Sequence, residues 1–191
     1  MFGRKCDVDN NKPTYTQGEK MRRFSYRLEI PAEKGQMMNK VITRNQALEA
    51  IDALMLEHVN NAPLSANLAE VVAFAVNNDL QVRDYILGLL PDVLTAQGAI
   101  SFVSDLLPLV AEADRVPFYS VLSAFYSEAG DNDLAHASLF TAQSLNPDYS
   151  LAKLLSRVLA SGMPMDFASM RAELHPKVVE TLTENRELVI S

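Results

Sequence analysis

The sequence predicts an all-α fold, an antiparallel array of helices preceded by an extended basic N-terminal arm. Three observations predict it. Apolar residues recur at three- and four-residue spacing from Thr43 onward, short polar breaks separate these stretches, and the residues before Thr43 lack that spacing. The chain has 191 residues, 48% of them hydrophobic, which is enough for one domain with its own core. We therefore predict an arm at residues 1–42 and a helical domain at residues 43–191.

Each predicted helix begins at a capping residue or a proline and ends at a turn signal. The predicted helices cover residues 44–59, 65–76, 80–90, 97–112, 117–129, 132–145, 147–161 and 166–187. Thr43 and Asp79 are expected to cap the first and third helices, and the third should end before Pro91. Pro108 is expected to bend or end the fourth helix, and Pro176 to divide the last. Because the connections are short, neighbouring helices should pack antiparallel.

The arm contains one stretch with a period of two. Residues 22–30 alternate polar with apolar side chains, and the apolar ones are Phe24, Tyr26, Leu28 and Ile30. This pattern predicts a short strand or an extended ribbon that ends at Pro31. The rest of the chain shows no obvious strand pattern, so the ribbon is expected to lie along the helices or to pair with another chain. A homodimer through the arm is the prediction that follows.

Charge is distributed unevenly along the chain. The first 44 residues hold ten cationic and five acidic side chains, a net charge of about +5. The other 147 residues hold seven cationic and 19 acidic ones, about −12, so that the whole chain carries −7. The arm could contact nucleic acid, or it could lie against the acidic body of its own chain or of a neighbouring copy, which the interleaved acids favour. Its candidate contact residues are Arg22, Arg23, Phe24, Tyr26 and Arg27.

Residues 119–147 have the spacing of a tetratricopeptide repeat, which is a hairpin of two helices. The matching residues are Tyr119, Leu122, Ser123, Tyr126, Ala135, Leu139, Ala142 and Pro147, with Gly130-Asp131 at the turn. Small Ser123 and Ala135 would let the helices approach closely, and Tyr119 and Tyr126 would help to fill the groove between them. No second full copy of the pattern occurs, so a single hairpin is predicted and not a repeat array.

Two segments carry a family resemblance. One runs from Ala129-Gly130-Asp131 through Leu145-Asn146-Pro147-Asp148-Tyr149 to Gly162-Met163-Pro164, and the other is Asn78-Asp79-Leu80-Gln81-Val82-Arg83-Asp84. They resemble an actinobacterial and actinophage family catalogued as domain of unknown function 4192, over roughly residues 45–170. Cellular members are longer and have an N-terminal part that residues 1–40 do not match, which favours a shortened, phage-encoded version. The resemblance implies a fold but no activity.

No catalytic or cofactor site is predicted. His58, His136 and His175 lie in separate helical segments without a second His or Cys at i+3 or i+4, so a metal site is not expected. The seven glycines never cluster into a phosphate-binding loop. Carboxylates such as Asp52 are expected on helix exteriors. We therefore expect neither an enzyme nor a cofactor.

The same composition bears on location. The single cysteine, Cys6, excludes an internal disulfide and fits a reducing compartment. The longest apolar runs are shorter than the roughly 20 residues that a membrane span needs, and the N-terminus lacks the apolar part of a secretory signal. The expected location is the cytoplasm, without a membrane partner.

Two residues of the helical domain remain candidates for either a structural or a recognition role. Arg83 is expected to pair with an acid on an adjacent helix, since a guanidinium group suits a buried carboxylate. Tyr149 is expected to pack on the preceding turn, at a helix start that Asp148 or Ser150 caps.

These observations favour a non-catalytic module for protein–protein interaction or assembly, with a protein partner that the sequence does not identify. The alternative is a nucleic-acid-associated protein that uses the basic arm, although the acidic body would repel nucleic acid. A lesser alternative is an acidic inhibitor of a host protein.

Overall fold

The computed structural model describes residues 41–162 and 187–189. Within them, the chain forms seven α-helices, two short strands and two 3₁₀ turns, which confirms the all-α class. The elements are β1 (Val41–Thr43), α1 (Arg44–Val59), α2 (Ala66–Asn78), α3 (Leu80–Val93), α4 (Ala96–Leu106), α5 (Val116–Glu128), α6 (Asn132–Leu145), α7 (Ser150–Ala160) and β2 (Glu187–Val189). The predicted ribbon at 22–30 and, except for Glu187, the predicted helix at 166–187 lie outside the described residues.

Local sequence signals set most helix ends. Thr43 caps α1 in a capping box, in which its hydroxyl accepts from the Gln46 amide at 3.3 Å and the Gln46 side chain accepts from the Thr43 amide at 2.8 Å. The helix predicted at 97–112 ends at Leu106, and Pro108 lies in the 3₁₀ turn that follows. The predicted end before Pro91 is wrong, because α3 continues to Val93. The fixed φ of proline is compatible with a helix, and the missing N–H of Pro91 removes one backbone hydrogen-bond donor. The helix can therefore continue past Pro91 for the last two residues of α3.

Two strands of three residues correct the expectation that no strand occurs outside the stretch at 22–30. β1 and β2 pair antiparallel, with Val41 opposite Val189, Ile42 opposite Leu188 and Thr43 opposite Glu187. Three residues are too few for an alternating pattern to be recognised, although Val, Ile and Thr favour strands. The pairing joins two parts of the chain that lie far apart in sequence. It is located next to the start of α1, because β1 directly precedes that helix.

Buried apolar side chains form two clusters that meet at α5. The first cluster takes residues from β1 and from α1 to α5, including the fully buried Phe102, Phe118 and Phe125. The second cluster joins α5, α6 and α7, and consists of Val116, Ala124, Leu139, Ala142, Leu151, Ala152 and Leu155. Leu87 and Tyr119 pack against both clusters, so α3 and α5 form the boundary between them.

The helices α5 and α6 form a hairpin that turns at Gly130. Gly130 has a left-handed φ of 82°, and the Asp131 amide donates to the Tyr126 carbonyl at 2.9 Å, as in a Schellman motif. The Asp131 side chain then caps α6 by accepting from the Leu134 amide at 3.0 Å. Ser123 on α5 and Ala135 on α6 are fully buried. Two small side chains therefore let the backbones of these helices approach closely.

A buried ion pair links the starts of α1 and α3. Arg44 Nε lies 2.6 Å from Asp79 Oδ2, and the two side chains are 5% and 2% exposed. The other carboxylate oxygen of Asp79 accepts from the Gln81 amide at 2.9 Å, so Asp79 also caps α3, as predicted. Buried charges cost free energy unless they are paired and hydrogen-bonded, so this pair holds the two helix starts together.

We predict that Asp79→Ala lowers the free energy of unfolding by about 3–5 kcal/mol, because Arg44 loses its buried carboxylate and α3 loses its cap. Denaturant unfolding measures the change. Asp148→Ala is the matched control, since the Asp148–Lys153 pair is as short, at 2.7 Å, but Asp148 is 89% exposed. Solvent screens such a pair, so no measurable loss is expected there. Equal losses in the two variants would contradict the role of burial.

Candidate functional site

Arg83 and Tyr149, 66 positions apart in sequence, lie side by side in the structure. Arg83 is buried, and its Nη1 donates to the Tyr149 hydroxyl at 3.5 Å. Its Nε and Nη2 donate to Asp84 Oδ1 at 2.9 and 2.6 Å. The prediction that Arg83 pairs with an acid on an adjacent helix is wrong. The arginine side chain is long enough to reach the carboxylate of the next residue of its own helix, Asp84. The segment that precedes α7 contributes the hydroxyl of Tyr149 and not an acid.

The start of α7 also differs from the prediction. Tyr149 itself occupies the position before the first helical residue, and no side chain caps the helix there. The Asp148 carboxylate instead accepts from Lys153 Nζ at 2.7 Å, which lowers the pKa of Asp148. Capping by Asp148 or Ser150 is therefore wrong, because the Lys153 ammonium engages the carboxylate. The Tyr149 ring packs against the second cluster, where its hydroxyl reaches Arg83.

The guanidinium of Arg83 connects the two clusters. Burial lowers the pKa of Arg83, but hydrogen bonds to Tyr149 and Asp84 and the charge of Asp84 raise it by more, and the net direction is upward. Arg83 therefore keeps its charge at any physiological pH. Because α3 belongs to the first cluster and Tyr149 packs on the second, this hydrogen bond links α3 to the residue that precedes α7, while α7 itself packs on α5 and α6.

The other candidate residues have simpler surroundings. Tyr119 and Tyr126 are half-buried on α5; Tyr119 packs against both clusters and Tyr126 against the first. Both rings therefore contribute to the packing of the array. The arm residues Arg22, Arg23, Phe24, Tyr26 and Arg27 lie outside the described residues.

Sequence reasoning missed a carboxylate that lies at the packed surface between α1 and α3. The Tyr85 hydroxyl donates to Asp52 Oδ1 at 3.0 Å. The pKa of Asp52 is raised to about 6. Burial is the largest cause, the hydrogen bond from Tyr85 opposes it, and the charge of Glu49 adds to it. Burial and the Asp52 charge also raise the pKa of Tyr85. The expectation that Asp52 lies on a helix exterior is wrong, because Tyr85 of α3 covers it. The available signal was its position four residues after Leu48 and three before Met55, both of which pack in the first cluster.

The outer side of α6 carries three exposed large apolar side chains and little charge, and exposed Asp133 and His136 lie on the same side as Phe140. Phe140 is 73% exposed, and Leu134 and Leu145 are also exposed. The helix contains no lysine, arginine or glutamate, and Asp133 is its single carboxylate. Exposed helix sides normally carry charged residues. We call this surface the α6 face; it consists of Leu134, Ala137, Phe140, Thr141, Ser144 and Leu145.

Two negative findings apply to the described residues. At 41–162 and 187–189, no three His, Cys, Asp or Glu side chains lie close enough together to hold a metal ion. In the same part of the chain, every helix is too short or too polar to cross a bilayer. The described groups can hold a proton at Asp52, link the two clusters through Arg83 and present the α6 face.

Together these features define an all-α protein with two apolar clusters, joined by polar contacts of α3. The chain belongs to the family described as Domain of unknown function (DUF4192), whose family model matches residues 9–165. The match confirms the family, and the expectation that residues 1–40 do not match it is wrong from residue 9 onward, because the family model includes most of the arm. No curated protein and no solved structure matches this chain.

We predict that Asp52→Asn raises the free energy of unfolding at pH 7.5 by about 1–3 kcal/mol and changes it little at pH 4. The folded pKa of Asp52 is about 6 and the unfolded value is the ordinary one near 3.8. Between these values the unfolded chain releases the proton first, so the wild type loses stability as pH rises from about 4 to about 6 and stays lower above that range. Urea unfolding at the two pH values measures the difference.

Tyr85→Phe is the companion variant for this titration. It removes the hydrogen bond that lowers the pKa of Asp52, so the midpoint of the Asp52 carboxyl carbon shift in NMR should move upward. A wild-type midpoint at the ordinary aspartate value would contradict the burial of this group.

We predict a coupling energy of about 0.5–1 kcal/mol between Arg83→Met and Tyr149→Phe in a double-mutant cycle, because the two side chains share one hydrogen bond. Thermal or denaturant unfolding of the four proteins measures it. The control cycle pairs Arg83→Met with Tyr126→Phe, since Tyr126 packs on the first cluster and makes no side-chain hydrogen bond within the described residues. That cycle should be additive, and an additive cycle with Tyr149 would refute the contact.

Proposed function

We propose that this protein is a non-catalytic module for protein–protein interaction or assembly, and that the α6 face is its contact surface. The observation that supports this is the 73% exposure of Phe140 on a helix without lysine or arginine. Exposed apolar surface favours association with another protein, and aromatic residues are enriched where such contacts are made. The partner is a protein, and the contact needs no cofactor.

The energetics favour docking on this face. Burying one phenylalanine side chain contributes about 1.5–3 kcal/mol. The helix that carries Phe140 is already fixed, because Asp131 caps it and Ala135, Leu139 and Ala142 are buried on its other side. A partner that docks there orders little of the receiving surface, so less free energy is lost on binding. A rigid face of this kind suits a partner helix or an extended segment.

The finer parts of the proposal rest on the sequence. The spacing from Tyr119 to Pro147 supports a tetratricopeptide-like hairpin, and the period-two pattern of residues 22–30 supports a homodimer through the arm. The single Cys6 supports a cytoplasmic location. The resemblance to actinophage proteins supports a phage-encoded protein.

A second candidate function is association with nucleic acid through the arm, which the ten cations among the first 44 residues favour. The acidic helical body favours a third, lesser candidate, an acidic inhibitor of a host protein. DNA binding measured across a salt series separates the second candidate from the interaction module. Phosphate contacts weaken steeply with salt, so an absence of salt-dependent binding removes it.

We predict that Phe140→Gln removes bound proteins that the wild-type chain retains in affinity enrichment from the native host cell, because the α6 face loses its largest apolar side chain. Leu80→Gln is the matched control, since Leu80 is 63% exposed but lies on α3. Quantitative mass spectrometry of the three samples measures the loss. Both positions are exposed, so unfolding midpoints should stay close to wild type. The same set of proteins bound to wild type and Phe140→Gln, together with an unchanged oligomeric mass, would contradict the proposed surface.

A further inference from the structure

We propose that the segment docking on the α6 face is residues 22–30 of a second copy of this chain, so that two copies exchange their arms. This inference rests on the proposed function, because it names the partner of the same surface.

The apolar side chains of the two surfaces match in spacing and length. In an extended segment, alternate side chains share one side, which places Phe24, Tyr26, Leu28 and Ile30 together. The span from Phe24 to Ile30 is about 20 Å at the rise of a strand. The span from Leu134 to Leu145 is about 16 Å at the rise of an α-helix. The apolar side of the segment can therefore cover most of the α6 face.

The charges match as well, and they set a direction. No lysine or arginine occurs between Arg115 and Lys153, and Glu128, Asp131 and Asp133 lie around the hairpin turn where α6 begins. The segment begins with two cations, Arg22 and Arg23. Opposite charges meet when these arginines lie near the start of α6. The segment then runs parallel to α6, with Ile30 toward the end of the helix.

The distance across the helices favours a second copy over the chain's own arm. Ten residues lie between Ile30 and Val41, the start of β1, so the eleven steps from one to the other span at most about 36–40 Å when fully extended. β1 packs on α1, and the contacts that lead from there to α6 run through α3 and α5. Three helix spacings of about 8–10 Å make that path about 24–30 Å long. The chain's own arm could reach only if this stretch were extended to about two thirds of its full length or more, whereas the arm of another copy is not limited in this way.

An exchange of arms also gives a closed assembly. Each copy donates one segment and receives one, so two equal contacts form around a two-fold axis. Neither α6 face is then left exposed, and no further copy can add. The expected species is a dimer.

The decisive test is photo-crosslinking in the full chain, with benzoylphenylalanine in place of Tyr26. Equal amounts of unlabelled and 15N-labelled chains are mixed in denaturant and refolded together before irradiation, so that the chains can pair at random, and the crosslinked peptides are identified by mass. We expect crosslinks to the peptide that contains Phe140, with about half of them joining one light and one heavy chain, as random pairing into dimers requires. Crosslinks confined to one isotope would mean that each arm binds its own chain, which overturns the exchange.

Multi-angle light scattering provides an independent measurement on full-length variants. The wild type and Leu80→Gln should have twice the monomer mass, and Phe140→Gln should shift to the monomer. The triple variant Arg22→Gln, Arg23→Gln, Arg27→Gln should shift in the same way, and it leaves the described helices untouched. A wild-type monomer, or a dimer that neither set of changes weakens, overturns the inference.

The two proposals fail in different ways. If Phe140→Gln loses bound proteins from the host cell while the crosslinks from position 26 fall elsewhere, the α6 face binds another protein and the inference about the arm is wrong. If Phe140→Gln changes neither the bound proteins nor the mass, both proposals are wrong.

Discussion

The ion pair between Arg44 and Asp79 is the interaction on which the rest of the structure depends. Each member stands where a helix begins, and burial makes it costly for either to lose the other. The Tyr85–Asp52 hydrogen bond crosses the same α1–α3 packing further along both helices. With α3 held at these two points, Arg83 and Leu87 are placed to meet the second cluster. The position of α7 itself is set by its packing on α5 and α6 in the second cluster, to which Arg83 adds one hydrogen bond through Tyr149.

The features that could be predicted from the sequence are local ones. The start of α1 at Thr43, both ends of α6 and the turn at Gly130 follow from caps, periodicity and a left-handed glycine, all of which act within a few residues. The features that could not be predicted depend on distant partners. The pairing of β1 with β2, the covering of Asp52 by Tyr85 and the meeting of Arg83 with Tyr149 each require the folded arrangement of the helices. The residue types of Arg83 and Tyr149 identified them as candidates, but nothing in the sequence paired them with each other.

The helix α6 combines low charge with a large exposed apolar side chain. The helix α6 has one carboxylate, as α2, α4 and α5 also do, and it differs from them in carrying a strongly exposed aromatic ring. An exposed helix side with large apolar side chains and little charge favours association with another protein. The family match that begins at residue 9 is relevant here, because it treats most of the basic arm and the helices as one unit. The arm and the acidic body are therefore best understood together.

The pairing of β1 with β2 has a consequence for synthesis on the ribosome. Residues 41–43 emerge early, but their strand partners at 187–189 are translated only after all seven described helices. Domains start to fold as they emerge, so α1 and its neighbours can pack while β1 still has an open edge. An open strand edge can pair with the wrong chain, and the shortness of β1 reduces that hazard. The two-stranded sheet is then the last described element to form, because it cannot be completed until residues 187–189 have been translated.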